Sequence, residues 1–248
     1  MTALQALAIV GAGLAAGTMN SVVGSGSLVT FPTLLAFGYP AVLANVTNNV
    51  GIIPGSASAV VAYRRELGGQ RRRLMVLGPA SMLGALTGAV LLLVLPHSVF
   101  RSVVPALIIV ACVLVAVQPW LARRLSAQRR REHGGPWLFL SVFGSGVYGG
   151  YFGAAQGVIL MALLGTFVAD DLQRLNGTKN CLALAVNAVS AVVFVIATHI
   201  AWGAAGLIAL GAVVGGQLGG VMGRRLPPVA LRVVIIAVGV TATIALLA

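Results

Sequence analysis

Residues 44–66 read ANVTNNVGIIPGSASAVVAYRRE. Asn45, Asn48, Asn49 and Ser56 interrupt an otherwise apolar run, and the first formal charge of the chain, Arg64, stands at its end. At about 100° per residue these four side chains fall within an arc of about 100°, so the segment is predicted to be a helix with one polar stripe. The 63 residues before Arg64 carry no formal charge, and further uncharged runs cover Leu74–Phe100, Ser102–Ala122, His133–Ala169 and Asn180–Gly223. Since about 20 apolar residues cross the hydrocarbon core, these runs amount to several membrane spans. Lipid offers the backbone no hydrogen-bond partner and the alternation of barrel strands is missing, so the expected class is an all-α polytopic membrane protein. The chain starts without a basic n-region, and its first apolar stretch is read as a membrane segment rather than a signal peptide. With 59% hydrophobic and 8% charged residues, the composition is far from that of a soluble domain, where about a quarter of residues are charged.

A net charge of +12 would suggest nucleic acid in a soluble protein, but here the cations sit in short loops between spans, so nucleic-acid binding is excluded. Arg64, Arg65, Arg71, Arg72 and Arg73 form one cluster, and Arg123, Arg124, Arg129, Arg130 and Arg131 another. The positive-inside rule places both loops in the cytoplasm. Cys112 and Cys181 each stand alone in apolar runs and read as packing residues. His97, His133 and His199 are scattered without carboxylate or thiol company, so neither a metal, a cofactor nor an enzymatic constellation is expected. Gly144, Gly146 and Gly149 fit a dinucleotide fingerprint by spacing but lie in no βαβ context. The sequons at Asn45 and Asn176 open predicted spans, where glycosylation does not occur. No Asp or Glu lies within a predicted span, which leaves proton or sodium coupling without a carboxylate signature.

The opening segment recurs. At a constant offset of 131 positions, Gly26 maps to Gly157, Asn45 to Asn176, Thr47 to Thr178, Asn49 to Asn180, Gly84 to Gly215, Gly88 to Gly219, Leu95 to Leu226, Pro96 to Pro227 and Arg101 to Arg232. Before Gly26 the offset is 133, pairing Gly11, Gly13 and Gly17 with Gly144, Gly146 and Gly150. The basic Arg64–Arg73 loop has an uncharged counterpart around Thr198–Gly203, whereas the loop Pro96–Ser98, without Lys or Arg, corresponds to one opened by Arg224 and Arg225. Opposite sidedness in matched loops is the mark of an inverted-topology repeat, whose substrate site lies near midplane between the repeats. Each half is expected to be a broken or re-entrant hairpin (Leu4–Phe37; Trp137–Val168) followed by three spans. These are Val42–Tyr63, Leu74–Leu95 and Val99–Leu121, then Leu172–Ile200, Trp202–Gly223 and Val229 to the C-terminus. Residues 1–121 and 137–248 are thus the two repeats, 122–136 the basic cytoplasmic connector, and both termini face outside.

The first hairpin contains Asn20, Ser21, Gly24, Ser25, Gly26, Ser27 and Thr30 before Pro32, and the second Gly149, Gly150, Gly153, Gln156 and Gly157. Freed backbone groups in hydrocarbon cost several kcal/mol each, so such breaks belong against protein or a cavity. Half-helix N-termini at a break attract anions through free N–H groups and the dipole, which makes Ser25, Gly26, Gln156 and Gly157 candidate cavity-lining residues. The polar stripe of Asn45, Asn48, Asn49 and Ser56 has the counterpart Asn176, Lys179, Asn180 and Asn187. Two facing stripes of donors suit a partly dehydrated anion; interhelical hydrogen bonding is the competing role. Lys179, the one cation of the stripe, is either a ligand or a snorkelling residue paired with Asp170 or Asp171. Arg101 and Arg232 read as interfacial anchors.

The Asn20–Gly26 stretch NSVVGSG with Pro32 after it, ANVTN at 44–48 and its echo NGTK at 176–179 resemble the TauE/SafE family of sulfite exporters and sulfonate permeases. The family's glycine triplet stands here as Gly24-Ser25-Gly26, and in the second half as Ala155-Gln156-Gly157. The resemblance implies a bacterial inner-membrane permease for a sulfur oxyanion or organosulfonate such as sulfite, thiosulfate or sulfoacetate. Its expected partners are a small anionic substrate and the bilayer, with a homodimer as candidate assembly. A scaffold subunit whose polar stripe only joins helices, or a carrier of another organic anion, are the alternatives.

Overall fold

A computed structural model of the chain describes residues 1–125, 135–222 and 237. Among the described residues nine helices follow in order: α1 Ala3–Val22, α2 Ser27–Ala36, α3 Ala41–Ala62, α4 Arg71–Val94, α5 His97–Leu125, α6 Pro136–Tyr151, α7 Gln156–Phe167, α8 Leu172–Ala197 and α9 Trp202–Met222. Among the described residues there is no strand. The expected last span from Val229, the loop opened by Arg224 and Arg225, most of the connector, Arg232 and the Arg101 side chain lie outside what is described.

Local chemistry sets the ends. The Thr2 hydroxyl accepts from the Gln5 N–H at 3.2 Å while the Gln5 side chain accepts from the Thr2 N–H at 2.9 Å, a reciprocal cap that starts α1. Pro136 opens α6, where a missing N–H costs nothing. Asp171 caps α8 by accepting from the Gln173 N–H at 2.8 Å.

Among the described residues five segments are long and apolar enough to cross a bilayer: Ala3–Val22, Arg71–Val94, Ser98–Val117, Leu172–Ala197 and Trp202–Val221. Helix α3, at 22 residues or about 33 Å, has the length but not the hydropathy, because its stripe of Asn and Ser dilutes it. Helices α2 and α7, of 10 and 12 residues, reach only about 15 and 18 Å, so neither can cross a core of about 30 Å. Each Gly-rich hairpin therefore has a short second leg.

The two sequence halves interlock. Helix α9 packs along α1 and α3, and α4 along α6 and α8. Between apolar helices in lipid, association depends on close packing rather than on water exclusion, and small residues permit it. A Cβ on Gly17 of α1 would overlap the Ala212 carbonyl of α9, and one on Gly150 of α6 would overlap the Ala85 carbonyl of α4. Gly215 and Gly219 of α9 meet Leu14 and Thr18 in the same way that Gly84 and Gly88 of α4 meet Phe143 and Val147. The glycines that match in sequence thus each abut a backbone carbonyl of a neighbouring helix, but their partners lie one turn out of the repeat register: Phe143 corresponds to Val10, which meets Gly211 rather than Gly215. Helices α3 and α8 run antiparallel: Tyr63 at the end of α3 accepts from Asn176 at the start of α8, and Thr47 near the start of α3 accepts from the Ala201 N–H just beyond α8. Outside this core, large apolar side chains such as Leu4, Leu83, Val94, Ile196 and Leu210 are exposed, and Trp120, Trp137 and Trp202 stand exposed near helix ends, as lipid-facing and interfacial residues do.

Candidate substrate site

The two breaks meet at the centre. Gly24, at φ +86°, ends the first leg, and the Gly157 N–H at the start of α7 donates to the Gly24 carbonyl at 3.0 Å. The two α-carbons are so close that a Cβ on either glycine would overlap the other's backbone. Only glycine permits both this approach and the left-handed turn at position 24. The N–H groups of Ser25, Gly26 and Ser27 find no backbone acceptor among the described residues, and the Ser25 hydroxyl, 1% exposed, is also unpartnered. Phe31 of α2 and Phe152 at the end of α6 stack edge to face at 5.3 Å and join the short leg of the first hairpin to the break of the second.

A helix that stops leaves its last carbonyls without intrahelical donors and carries a partial negative charge there. The polar stripes supply those donors crosswise. From α8, Asn176 donates to the Ser21 carbonyl at 3.2 Å and to the Tyr63 hydroxyl at 2.8 Å, and Asn180 donates to the Ser21 carbonyl at 3.3 Å. The Lys179 ammonium nitrogen donates to the carbonyls of Asn20 and Ser21 at 3.1 and 3.2 Å. From α3, Asn45 donates to the Tyr151 carbonyl at the end of α6, at 3.0 Å, and Asn48 accepts from Thr30 of α2. The stripes also touch one another: Asn49 donates to Asn187 at 3.5 Å, while Asn187 and Asn20 both donate to Ser56, at 3.5 and 3.2 Å.

Two sequence expectations change. Lys179 does not snorkel toward an aspartate: its side chain is fully buried, 0% exposed, on the carbonyl end of α1. Asp170 is instead held by Arg73 and Arg174, each at 2.8 Å, and Asp171 is engaged as the cap of α8. The reason is distance along the helix, since Lys179 lies two turns inside α8 and the broken end of α1 is the nearer acceptor. Burial would raise the Asp170 carboxyl, but hydrogen bonds from Arg73, the Asp171 N–H and Arg174, with the Arg73 charge, outweigh it and hold the group below its ordinary range. The second change concerns the break itself, which presents a helix C-terminal end to the stripe as well as the expected N-terminal one. Backbone carbonyls leave no mark in a sequence, so Asn20 and Ser21 as acceptors, and Tyr63 and Thr30 as partners, were not legible there.

Not every candidate converges. Ser25, Gly26, Asn176, Lys179 and Asn180 gather around the end of α1, while Asn45 and Asn48 gather around the end of α6 and the start of α2, with Asn49 between. Gln156 folds back into its own hairpin, donating to the Ser145 carbonyl at 3.3 Å, and Gly157 forms the crossing point. Four buried oxygens near these groups, on Ser21, Ser25, Asn49 and Asn176, have no partner among the described residues. A cavity of about 220 Å³ opens elsewhere, between the start of α1 and the α2–α3 loop, lined by Met1, Gln5, Ile9 and Phe37 to Pro40, and holds none of the candidates.

The arrangement belongs to a known class of protein. Residues 9–246 match the family described as Sulfite exporter TauE/SafE. The chain is 28% identical over 215 residues to the probable membrane transporter protein YfcA of Escherichia coli K12, covering 85% of this chain and 76% of that one. It is 25% identical over 213 residues to a probable membrane transporter protein of Haemophilus influenzae, covering 85% and 82%, and 25% identical over 206 residues to probable membrane transporter protein ORF9 of a Sinorhizobium species, covering 82% and 77%. No solved structure matches the chain. Apolar helices, a polar centre built at two helix breaks and a family match over nearly the whole length agree: this multi-pass membrane protein belongs to the sulfite exporter TauE/SafE family, a family of membrane transporters.

Proposed function

We propose that the chain is a permease that carries a small anion, a sulfur oxyanion or organosulfonate such as sulfite, thiosulfate or sulfoacetate, across a bacterial inner membrane. One observation carries the reading. Three donors, from Asn176, Lys179 and Asn180, converge on the single carbonyl of Ser21, which has two lone pairs. Donors crowded on one carbonyl, one of them a buried cation, can turn to an incoming anion. Ser25, Gly26, Asn45, Asn48, Asn49, Gln156 and Gly157 complete the proposed path, with Gly24 and Gly157 as the crossing between breaks. The helices do the work of binding and movement, with no enzymatic step.

The proposed architecture is two inverted repeats, residues 1–121 and 137–248, joined by a cytoplasmic connector, with both termini outside. The opposed charge of matched loops and the antiparallel course of α3 and α8 support it. So does a pair of contacts related by the 131 offset: Thr47 binds Ala201, and Thr178 binds Gln70. Rocking of one repeat against the other would expose the crossing to each side in turn.

Uptake of labelled sulfite, thiosulfate and sulfoacetate into proteoliposomes tests the reading. Saturable flux that falls at least tenfold in Lys179→Ala and in Asn180→Ala, about 1.4 kcal/mol or more of lost binding, is expected. Unchanged flux in both variants removes these residues from the site. Absence of flux or binding across the panel favours a scaffold whose stripes only join helices.

A further inference from the structure

We infer that Lys179 carries the proton that couples anion movement to the proton gradient, an inference that rests on the anion-permease reading above. The whole chain has four acidic residues. Asp170 is paired with Arg73 and Arg174, Asp171 caps α8, Glu66 lies in the loop after α3, and Glu132 belongs to the connector. Among the described residues no carboxylate pairs with Lys179, although its side chain is completely buried. The carbonyl end of α1 offers about half an elementary charge, which does not balance a full ammonium removed from water.

The bonding count points the same way. A neutral amine has two N–H donors and a lone pair; an ammonium has three donors. Lys179 makes two hydrogen bonds, to the carbonyls of Asn20 and Ser21, which satisfies the neutral amine and leaves the third donor of the ammonium for an anion. The helices packed on α8 offer little else to titrate. Helix α3 carries only Tyr63 at its end, already engaged with Asn176; α4 has Arg71, Arg72 and Arg73 at its cytoplasmic end; α6 has Tyr148 and Tyr151; α7 has none. Helix α1, whose end receives Lys179, has no titratable side chain, and α8 adds Arg174, paired with Asp170, and Cys181.

The cycle balances. Where the anion enters, the amine lone pair takes a proton from hydronium, forming an N–H bond and leaving water. The ion pair crosses with the site. Where the anion leaves, that N–H bond breaks, water takes the proton and the amine returns to its two carbonyls. Each anion therefore travels with one proton.

Proteoliposomes loaded with a pH-sensitive dye test this with methanesulfonate and thiosulfate, whose own charge does not titrate near neutrality. The wild type is expected to move one proton per anion, and a gradient of one pH unit to accumulate methanesulfonate about tenfold regardless of membrane potential. Lys179→Arg, which stays protonated, is expected to move protons and anions out of step: on whatever anion flux the variant retains, the protons moved per anion fall from one toward zero and accumulation driven by the pH gradient is lost. Wild-type anion flux without proton movement, or full accumulation by Lys179→Arg, overturns the coupling role while leaving the permease reading intact. No flux of either anion, nor of sulfite or sulfoacetate, overturns both. The wild-type proton count decides by itself if the arginine variant does not fold.

Discussion

At the scale of single residues, Asp170 and Asp171 tie the loops they stand in, while the buried polar side chains among the described residues are amides, hydroxyls and Lys179. Asp170 joins the start of α4 to the start of α8 through Arg73 and Arg174. Because its folded pKa lies below the unfolded value, the stability it adds is present above about pH 4 and is lost as pH falls through the folded pKa. Asp170→Asn is expected to lower thermal stability in detergent by roughly 1 to 3 kcal/mol at neutral pH, since it leaves a half-buried Arg73 with weaker acceptors. The same variant should flatten the acid limb of the melting curve. Equal melting of wild type and variant from neutral pH down through the carboxylate range would remove the tie from the stability of the fold. The neighbouring Gln70 shows why the loop is more than a surface pair: it is buried and donates to the carbonyls of Glu66 and Arg174, each at 2.8 Å.

At the scale of helices, glycines decide how close two cylinders come. Gly17 on α1 and Gly150 on α6, paired at the 133 offset, each face a carbonyl of the helix packed against them. Neither contact can yield, because the opposing atom is backbone. Gly17→Val and Gly150→Val are therefore expected to destabilise to a similar degree, about 1 to 3 kcal/mol each or more, as overpacking does. Gly144→Val, where a Cβ meets nothing, serves as the control and should melt like the wild type. Melting temperatures of the three purified variants check this, and a tolerant Gly150 beside an intolerant Gly17 would break the equivalence of the two interfaces. The short helices α2 and α7 show the opposite economy: length too small to span, but N-terminal ends brought together at Gly24 and Gly157.

At the scale of the molecule, the proposed inversion makes a statement about sides. The start of α8 meets the loop after α3, and the start of α3 meets the loop after α8. These two loops therefore lie at opposite ends of α3. In a variant with Cys112 and Cys181 replaced by Ala, a single cysteine at Gly68 is expected to react with an impermeant maleimide only in inverted vesicles. One at His199 should react only in right-side-out cells. Labelling of both from the same side would end the inverted-repeat proposal without touching the family assignment.

How much of this was legible beforehand follows from the physics. Hydropathy and turn chemistry act locally, so the helical class, the helices α3, α4, α5, α8 and α9 to within a few residues, and a Gly-rich break in each of the two hairpins could be read from residue types alone, whereas the ends of the hairpin legs α1, α2, α6 and α7 could not. The repeat offset is likewise a property of the string. Which breaks touch, and what Lys179 touches, could not be read, because those contacts join residues about 130 to 160 positions apart through backbone atoms that are the same in every residue. The opening segment from Ala44 to Glu66 announced a polar stripe facing something. Only the tertiary structure decided that the stripe and its counterpart on α8 cap each other's broken helices, since the unmet carbonyls of one half are satisfied by the amides and the lysine of the other.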